Sequence, residues 1–285
     1  MYGIGPIFFD ISPAKRPGTD LMAWPWLGPD RHVSNHELPM WAAWHGRMMV
    51  IAWVILLPLG ALIARFFKVT PHQRWPQELD NKFWWYSHLV LQYTGIAIMT
   101  GAFFIAVAHA NLRNSAAPLH GLIGWVIFFL GWVQVAGGRL RGSKGGPQAG
   151  LDGTTVAVRG GDHYDMTRRR VVFEYTHKIG GYVAIALATV DVALGLNAAH
   201  ARSWIVGLIV TAWVVGLAIF IALQKNGRCV DTYQAIWGPA HDHPGNLRPP
   251  IGWGVRRLSE SVDSGDTIRP AIDPVHSSES IHEQR

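Results

Sequence analysis

Four of the chain's fourteen histidines lie inside long apolar segments, each near the start of its segment. A polar ring is costly in such surroundings unless it has a partner. A capped or interfacial histidine is the ordinary alternative for any one of them, but four in the same relative position are harder to explain in that way. Neutral imidazole is a good axial ligand for haem iron. The candidate chemical centre is therefore formed by His45, His88, His120 and His177.

The apolar segments are long enough to cross a membrane, since a spanning helix needs about 20 apolar residues. They cover residues 41–64, 83–108, 118–138, 172–198 and 203–224. We predict an all-α membrane protein with five transmembrane helices, four of which form a haem-binding bundle. Its predicted parts are an extracytoplasmic N-terminal segment at 1–40, a transmembrane domain at 41–225 and a partly disordered cytoplasmic C-terminal tail at 226–285.

Composition and charge argue against other classes of protein. Hydrophobic residues make up 49% of the chain and charged residues 15%, and most of the charge lies between the apolar segments. The net charge of +6 is therefore assigned to membrane-flanking loops, and nucleic-acid binding is not expected. A single cysteine, Cys229, excludes an intramolecular disulfide framework. The first forty residues contain no uninterrupted apolar stretch, so no cleavable signal peptide is expected.

The distribution of Lys and Arg predicts the orientation. The loops at 65–82 and 139–171 carry many more basic residues than the N-terminal segment and the short loops at 109–117 and 199–202. We therefore predict a multi-pass protein of the cell (inner) membrane with its N-terminus outside and its C-terminus in the cytoplasm. In the tail, disorder is expected from about residue 246, after a stretch whose Tyr233, Ile236 and Trp237 could dock on the inner end of the bundle.

Helix direction pairs the histidines. Successive spans run in opposite directions, so the starts of the first and third lie at the outer side and the starts of the second and fourth at the inner side. His45 and His120 then share an outer level, and His88 and His177 share an inner level. Bundles build cofactor sites from side chains on facing helices. Two levels with two imidazoles each predict two bis-histidine haems.

Helical periodicity places further candidates on the histidine-bearing faces. These faces are rich in small residues, which leave room for a flat macrocycle or let helices pack closely. Gln92 and Gln134 fall on the same faces as candidate cofactor-binding residues, and Asp191 falls near the outer level. Arg47 is either a ligand of a haem propionate or substrate, or an interfacial side chain. Asp191 is predicted to pair with Arg47 or to take up a proton coupled to electron transfer.

The segments that carry the histidines resemble the cytochrome b561 superfamily, most closely the core of its DOMON-associated branch. The matching stretches are "WHGRMMVIAWVILLPLGALIARFFK", "WWYSHLVLQYTGI", "LHGLIGWVIFFLGWVQVAGG" and "FEYTHKIGGYVAIALATVDVALGL". Together they fall within residues 41–225 and contain all four histidines in order.

This resemblance implies two b-type haems, bound without covalent attachment, that pass electrons across a membrane. It also implies a site for a cytoplasmic donor such as ascorbate at the inner end of the first span, where Arg65 and Lys68 stand in "ARFFK". Two departures are visible. The first forty residues are too short for a DOMON domain, and Asp191 stands where members of this branch often have Asn.

Three functional hypotheses follow. The first is a transmembrane electron carrier, either an electron-transfer cytochrome or an oxidoreductase of ferric-reductase or quinol-oxidoreductase type. It would take electrons from a cytoplasmic small-molecule or protein donor, or from a quinol, and pass them to an extracytoplasmic acceptor. The second is a haem-bearing membrane anchor subunit, in a homodimer or a larger redox complex. The third is a haem-free transporter or scaffold whose histidines line a polar cavity.

Overall fold

The computed structural model describes residues 38–109, 117–142, 148–149, 155–156 and 166–258. The predictions made for residues 1–37 and for the last part of the tail, 259–285, therefore lie outside the described residues.

The all-α membrane fold predicted from the sequence is confirmed. Among the described residues, five helices are long and apolar enough to span a membrane: Met40–Phe66, Phe83–His109, Pro118–Arg139, Arg168–Ala198 and Ser203–Lys225. The first comprises α1 (Met40–Val50), a π-helical segment (Ile51–Leu56) and α2 (Leu57–Phe66), and the other four are α3 to α6 in chain order. The remaining elements are a short helix, α7 (Thr232–Trp237), and an antiparallel pair of two-residue strands, β1 (Gln148–Ala149) and β2 (Thr155–Val156).

A π-helical segment interrupts the first span, which the apolar pattern alone predicts as one regular helix. Pro58 lies in the first turn of α2, directly after this segment. Proline has no backbone N–H, and its ring collides with the carbonyl four residues earlier. The wider π-type turn accommodates the missing hydrogen bond, as is common where a helix is locally perturbed.

The first four spans form a bundle, and the fifth lies at its edge. Helix α3 packs against the first span and against α4, and α5 packs against α4 and the first span. Helix α6 touches α2 and the π-helical segment, where the rings of Phe66 and Phe220 are 5.1 Å apart. The first span therefore lies diagonally across the bundle from α4, and α3 lies diagonally across from α5.

A buried apolar cluster occupies the middle of the bundle, and every one of its four helices contributes to it. Its members are Ala52, Trp53, Leu57, Ile96, Met99, Ile127, Ala184 and Ala188. On each helix these residues lie between the histidine and the opposite end of the span. The cluster therefore separates two levels of the bundle and excludes water between them.

Helix α5 begins four residues earlier than the apolar pattern predicts. The Thr167 side chain caps it by accepting a hydrogen bond from the backbone N–H of Arg170 at 3.3 Å. Such a cap satisfies one of the donors left over at a helix start. The helix can therefore extend through the basic run at 168–170, because Arg170 is buried in an ion pair with Glu174.

Residues 226–258 fold against one end of the bundle, so the expected disorder from about residue 246 is wrong for 246–258. Tyr233 and Ile236 are buried. The backbone carbonyls of Val230, Ile251 and Trp253 accept hydrogen bonds from the basic side chains of the first span, its following loop and α5. Local composition does not reveal this order, because its hydrogen-bond donors lie far away in the sequence.

Close packing at Gly95 is expected to be sensitive to a single methyl group. A Cβ at this position would lie 2.7 Å from Cδ2 of the buried Leu57. We expect Gly95→Ala to destabilise the bundle by about 1–3 kcal/mol, because overpacked cores must shift. The measurement is the unfolding midpoint in detergent. Gly207→Ala on α6, where a Cβ meets nothing within 4 Å, is the control. Equal midpoints for the two variants would contradict the packing described here.

Candidate functional site: two cross-bundle histidine pairs

The four candidate histidines form two close pairs, with the partners predicted from helix direction. The ring centroids of His45 and His120 are 6.1 Å apart, and the ring planes meet at 81°. His88 and His177 have almost the same arrangement, with centroids 6.2 Å apart and an angle of 81°. The two pairs lie on either side of the apolar cluster.

Each pair joins two helices that are diagonal in the bundle. His45 on α1 faces His120 on α4, and His88 on α3 faces His177 on α5. Neither α1 with α4 nor α3 with α5 is in close backbone contact. Each pair of imidazoles therefore spans the centre of the bundle, where a ligand can lie between two helices.

Neighbouring helices orient three of the four rings through Nδ1. His45 Nδ1 lies 2.9 Å from the carbonyl oxygen of Ala102, and His88 Nδ1 lies 3.0 Å from that of Gly60. A carbonyl oxygen only accepts, so Nδ1 carries the proton and Nε2 keeps the lone pair. His120 Nδ1 lies 3.1 Å from the carbonyl oxygen of Asp191 and 3.0 Å from its carboxylate Oδ1. This is the orientation that metal-binding histidines require.

His177 is held differently. Its ring stacks on Phe173 with centroids 4.8 Å apart and an angle of 29° between the planes. Its buried Nδ1 finds no hydrogen-bond partner among the described residues. The stacking and the surrounding helices therefore position this imidazole without the second-nitrogen bond that the other three have.

The geometry of both pairs fits axial ligation of a haem iron. A metal–imidazole bond of about 2 Å, with the ring centre roughly 1 Å behind the nitrogen, places two opposed imidazole centroids about 6 Å apart. The observed separations are 6.1 and 6.2 Å. Within the described ranges, no three His, Cys, Asp or Glu side chains cluster to hold a metal ion by themselves. Two imidazoles suit a macrocycle that brings its own equatorial nitrogens.

Glycines on α5 make room beside the predicted site residues. A Cβ at Gly195 would lie 3.0 Å from Cε1 of His120, and one at Gly180 would lie 2.2 Å from Nε2 of Gln134. Farther along the same helix, Ala184 and Ala188 are buried in the core. Ala184, Ala188 and Gly195 therefore face the bundle interior, as the sequence predicted.

Gln92 and Gln134 both lie at the level of the His88–His177 pair. Gln92 Nε2 donates to the carbonyl oxygen of Leu57 at 2.9 Å, beside the proline-linked segment of the first span. Gln134 reaches α5 at Gly180, one turn from His177. The structure thus gives Gln92 a role in helix packing and leaves Gln134 next to the inner pair.

Arg47 and Asp191 do not form the ion pair that was one expectation from the sequence. Asp191 is buried and pairs with His120, whereas the Arg47 guanidinium lies 5.5 Å from the ring centroid of Trp44 on an exposed part of α1. The helix explains the difference, since two residues turn the chain by about 200° and direct Arg47 away from the face that carries His45.

The two basic residues predicted as a donor site are occupied in holding the tail. Arg65 donates to the Tyr182 hydroxyl and the Trp253 carbonyl, both at 2.7 Å, and to Gln224 Oε1 at 2.8 Å. Lys68 is buried and donates to the carbonyls of Arg65 and Val230, both at 3.1 Å. These cations join one end of the bundle to residues 226–258.

A buried ionic group beside the inner pair was missed from the sequence. Glu174 accepts from Arg170 at 2.8 Å and from Lys178 at 2.9 Å, and Lys178 also donates to the carbonyl of Ile251 at 2.7 Å. The four-residue spacing of these charges on one helix was the available signal. Glu174 also lines a cavity of about 200 Å³ between the start of α5 and the tail, together with Tyr175.

Burial lowers the pKa of Lys68 to about 8, since the charged ammonium is removed from water. The charged form is therefore disfavoured in the folded protein. Between this value and the ordinary 10.5, the unfolded chain binds more protons than the folded one.

Comparison with known proteins gives relatives over about half of the chain. A cytochrome b561, DM13 and DOMON domain-containing protein of Arabidopsis thaliana is 29% identical over 153 residues, 54% of this chain and 14% of the relative. A cytochrome b561 and DOMON domain-containing protein of the same plant is 26% identical over 154 residues, 54% of this chain and 27% of the relative. Ferric-chelate reductase 1 of Bos taurus is 26% identical over 154 residues, 54% of this chain and 22% of the relative.

The chain thus spans between 14% and 27% of the length of these three relatives. No family model matches the chain, and no solved structure matches it.

The fold and the histidine pairs define a multi-pass helical-bundle membrane protein with two paired-imidazole sites. Cytochrome b561 domains recur in the names of these relatives. The chain is similar to proteins of the cytochrome b561 superfamily over about half of its length.

The stability of the folded tail and bundle is expected to rise with pH between about 8 and 10.5, as the burial penalty of charged Lys68 disappears. Below pH 8 this penalty is fully present. Lys68→Met should remove this component, which is at most about 3 kcal/mol. The measurement is the unfolding midpoint from pH 7 to 10.5, and Lys225→Met, at an exposed lysine, is the control. Identical pH profiles for Lys68→Met and the unsubstituted protein would show the assignment to be wrong.

Proposed function

We propose that this protein transfers electrons across a membrane through two b-type haems, each bound by one histidine pair without covalent attachment. The observation that carries the proposal is the pair of cross-bundle imidazole sites, with centroid separations of 6.1 and 6.2 Å. The membrane-spanning helices and the names of the relatives support it.

Each residue type has a distinct part in this function. His45 and His120 hold one haem, and His88 and His177 hold the other. A bound haem supplies an iron that gains and loses one electron. The backbone carbonyls of Ala102 and Gly60 keep the Nε2 lone pairs of His45 and His88 available. The buried cluster between the levels excludes water from the interior between the two sites.

The proposed direction of electron flow is from a cytoplasmic or quinol donor to an extracytoplasmic acceptor. The His88–His177 level lies toward the basic end of the bundle, which the positive-inside rule assigns to the cytoplasm. Arg65 and Lys68 are held by tail contacts at this end. A small anionic donor would therefore meet two cations that are already engaged, which favours a quinol or a protein as the donor.

The folded tail favours one further role. Residues 226–258 are held against one end of the bundle by Arg65, Lys68 and Lys178 and form a surface on which a partner can dock. We propose as the second candidate that this chain is the haem-bearing membrane anchor of a larger redox complex.

Haem content tests the proposal directly. The purified protein is expected to contain two b-type haems per chain, measured by the pyridine haemochrome assay and a reduced-minus-oxidised spectrum. Absence of haem in a folded preparation would overturn both candidate roles and favour the haem-free transporter or scaffold.

Histidine substitutions test the pairing. His45→Ala and His120→Ala should each remove the same single haem, and the double variant should lose no more than either one. His88→Ala and His177→Ala should behave in this way for the other haem. His109→Ala, at the end of α3, is the control that should keep both. Loss of different haems from the two members of one pair would refute the pairing, provided that gel filtration shows folded protein.

Cysteine labelling tests the orientation. In a Cys229→Ser background, Leu38→Cys and Leu140→Cys place exposed thiols at opposite ends of the bundle. A membrane-impermeant maleimide is expected to label position 38 in intact cells and position 140 only after permeabilisation. The reverse pattern would contradict the proposed direction of insertion.

A further inference from the structure

Of the four imidazoles, His120 is the one whose Nδ1 donates a hydrogen bond to a carboxylate. His120 Nδ1 lies 3.0 Å from Oδ1 of Asp191, whereas the Nδ1 atoms of His45 and His88 meet neutral backbone carbonyls. His177 Nδ1 has no hydrogen-bond partner among the residues described. The two histidine pairs are therefore alike in ring geometry but differ in what stands behind the rings.

The carboxylate of Asp191 is buried and is hydrogen-bonded to His120. Asp191 is 8% exposed, and its carboxylate accepts a hydrogen bond from Nδ1 of His120. Its backbone carbonyl lies 3.1 Å from the same Nδ1, so one residue supplies both acceptors. The second carboxylate oxygen lies 3.7 Å from the position that a Cβ on Gly124 would take, so α4 approaches closely without a side chain in the way.

A carboxylate acceptor changes the electron donation of the ring that donates to it. Hydrogen bonds to ionised acceptors are roughly twice as strong as neutral ones. A carboxylate behind a ligating histidine raises the basicity of the ligating nitrogen. A more basic axial ligand and a nearby negative charge both stabilise the oxidised, more positive iron, so both effects lower the reduction potential.

We propose that Asp191 is a positioning residue that lowers the reduction potential of the haem bound by His45 and His120, and that the other haem lacks this influence. This inference rests on the proposed function, since it concerns the haem that the pair would hold. Its consequence is that the two haems are unequal, with the reduced outer haem made a stronger reductant by Asp191.

The experiment is a spectroelectrochemical redox titration of the purified full chain with Asp191→Asn. The amide keeps the size and the acceptor oxygen but removes the charge. We expect the midpoint of one haem to shift upward and that of the other to stay in place, so the His88–His177 haem serves as the internal control. His88→Ala and His45→Ala backgrounds assign each midpoint to its pair. Asp191→Glu should restore the midpoint at least in part.

Three results would overturn the inference. Unchanged midpoints with full haem content would show that the carboxylate does not tune the iron. Equal shifts of both midpoints would indicate a general effect of charge or structure. If Asp191→Asn loses the outer haem, Asp191→Ser provides the second neutral variant, and loss from both would assign Asp191 a purely structural role. No haem in the unsubstituted protein would overturn the proposed function itself, whereas the other results leave that function standing.

Discussion

Each imidazole inside the bundle needs hydrogen-bond partners for its ring nitrogens and a fixed orientation toward the opposite ring. The rest of the structure depends on this constraint. A polar ring among apolar helices is costly unless its nitrogens are satisfied. The backbone carbonyls of Ala102 and Gly60 satisfy Nδ1 of His45 and His88 from neighbouring helices. Adjacent helices thus orient the rings, and diagonal helices present them to each other. This division of roles requires four helices packed around a common centre.

The same constraint makes the two ends of the bundle unequal. At one end, the charge next to the histidine pair is the carboxylate of Asp191, which accepts a hydrogen bond from Nδ1 of His120. At the other end, Glu174 is neutralised by Arg170 and Lys178 along the same helix, and His177 is oriented by Phe173. At one end an anion accepts a hydrogen bond from an imidazole, whereas at the other end the anion is paired with two cations. The two histidine pairs therefore have nearly the same ring separation and angle but different charges beside them.

The sequence was sufficient for features that depend on composition and on alternating helix direction. The five spans and the partners of His45 and His88 follow from these alone, because a histidine one or two turns inside a span has its level set by helix length. Periodicity also placed Asp191 at the level of His120. Periodicity did not identify His120 as the partner of Asp191, because this contact depends on which helices are neighbours and how each is rotated.

Composition and helix direction did not predict features that depend on single backbone N–H or carbonyl groups, such as the π-helical segment and the order of residues 246–258. The π-helical segment before Pro58 is set by one missing N–H, which the apolar pattern does not register. The order of residues 246–258 depends on donors such as Arg65 and Lys178, which lie far away in the chain. Their carbonyl acceptors carry no signature in the side-chain sequence, so composition alone predicted disorder.

The folded tail covers the end of the bundle at which the proposed function places the electron donor. Arg65 and Lys68 together donate to two tail carbonyls, at Trp253 and Val230. Hydrogen bonds from charged groups contribute about 1.5–3 kcal/mol each. An anionic donor that used these cations would have to replace those bonds and displace the chain that buries Lys68. Under the proposed electron transfer, a donor that approaches through the lipid, or a protein that docks on the tail, would meet no such cost.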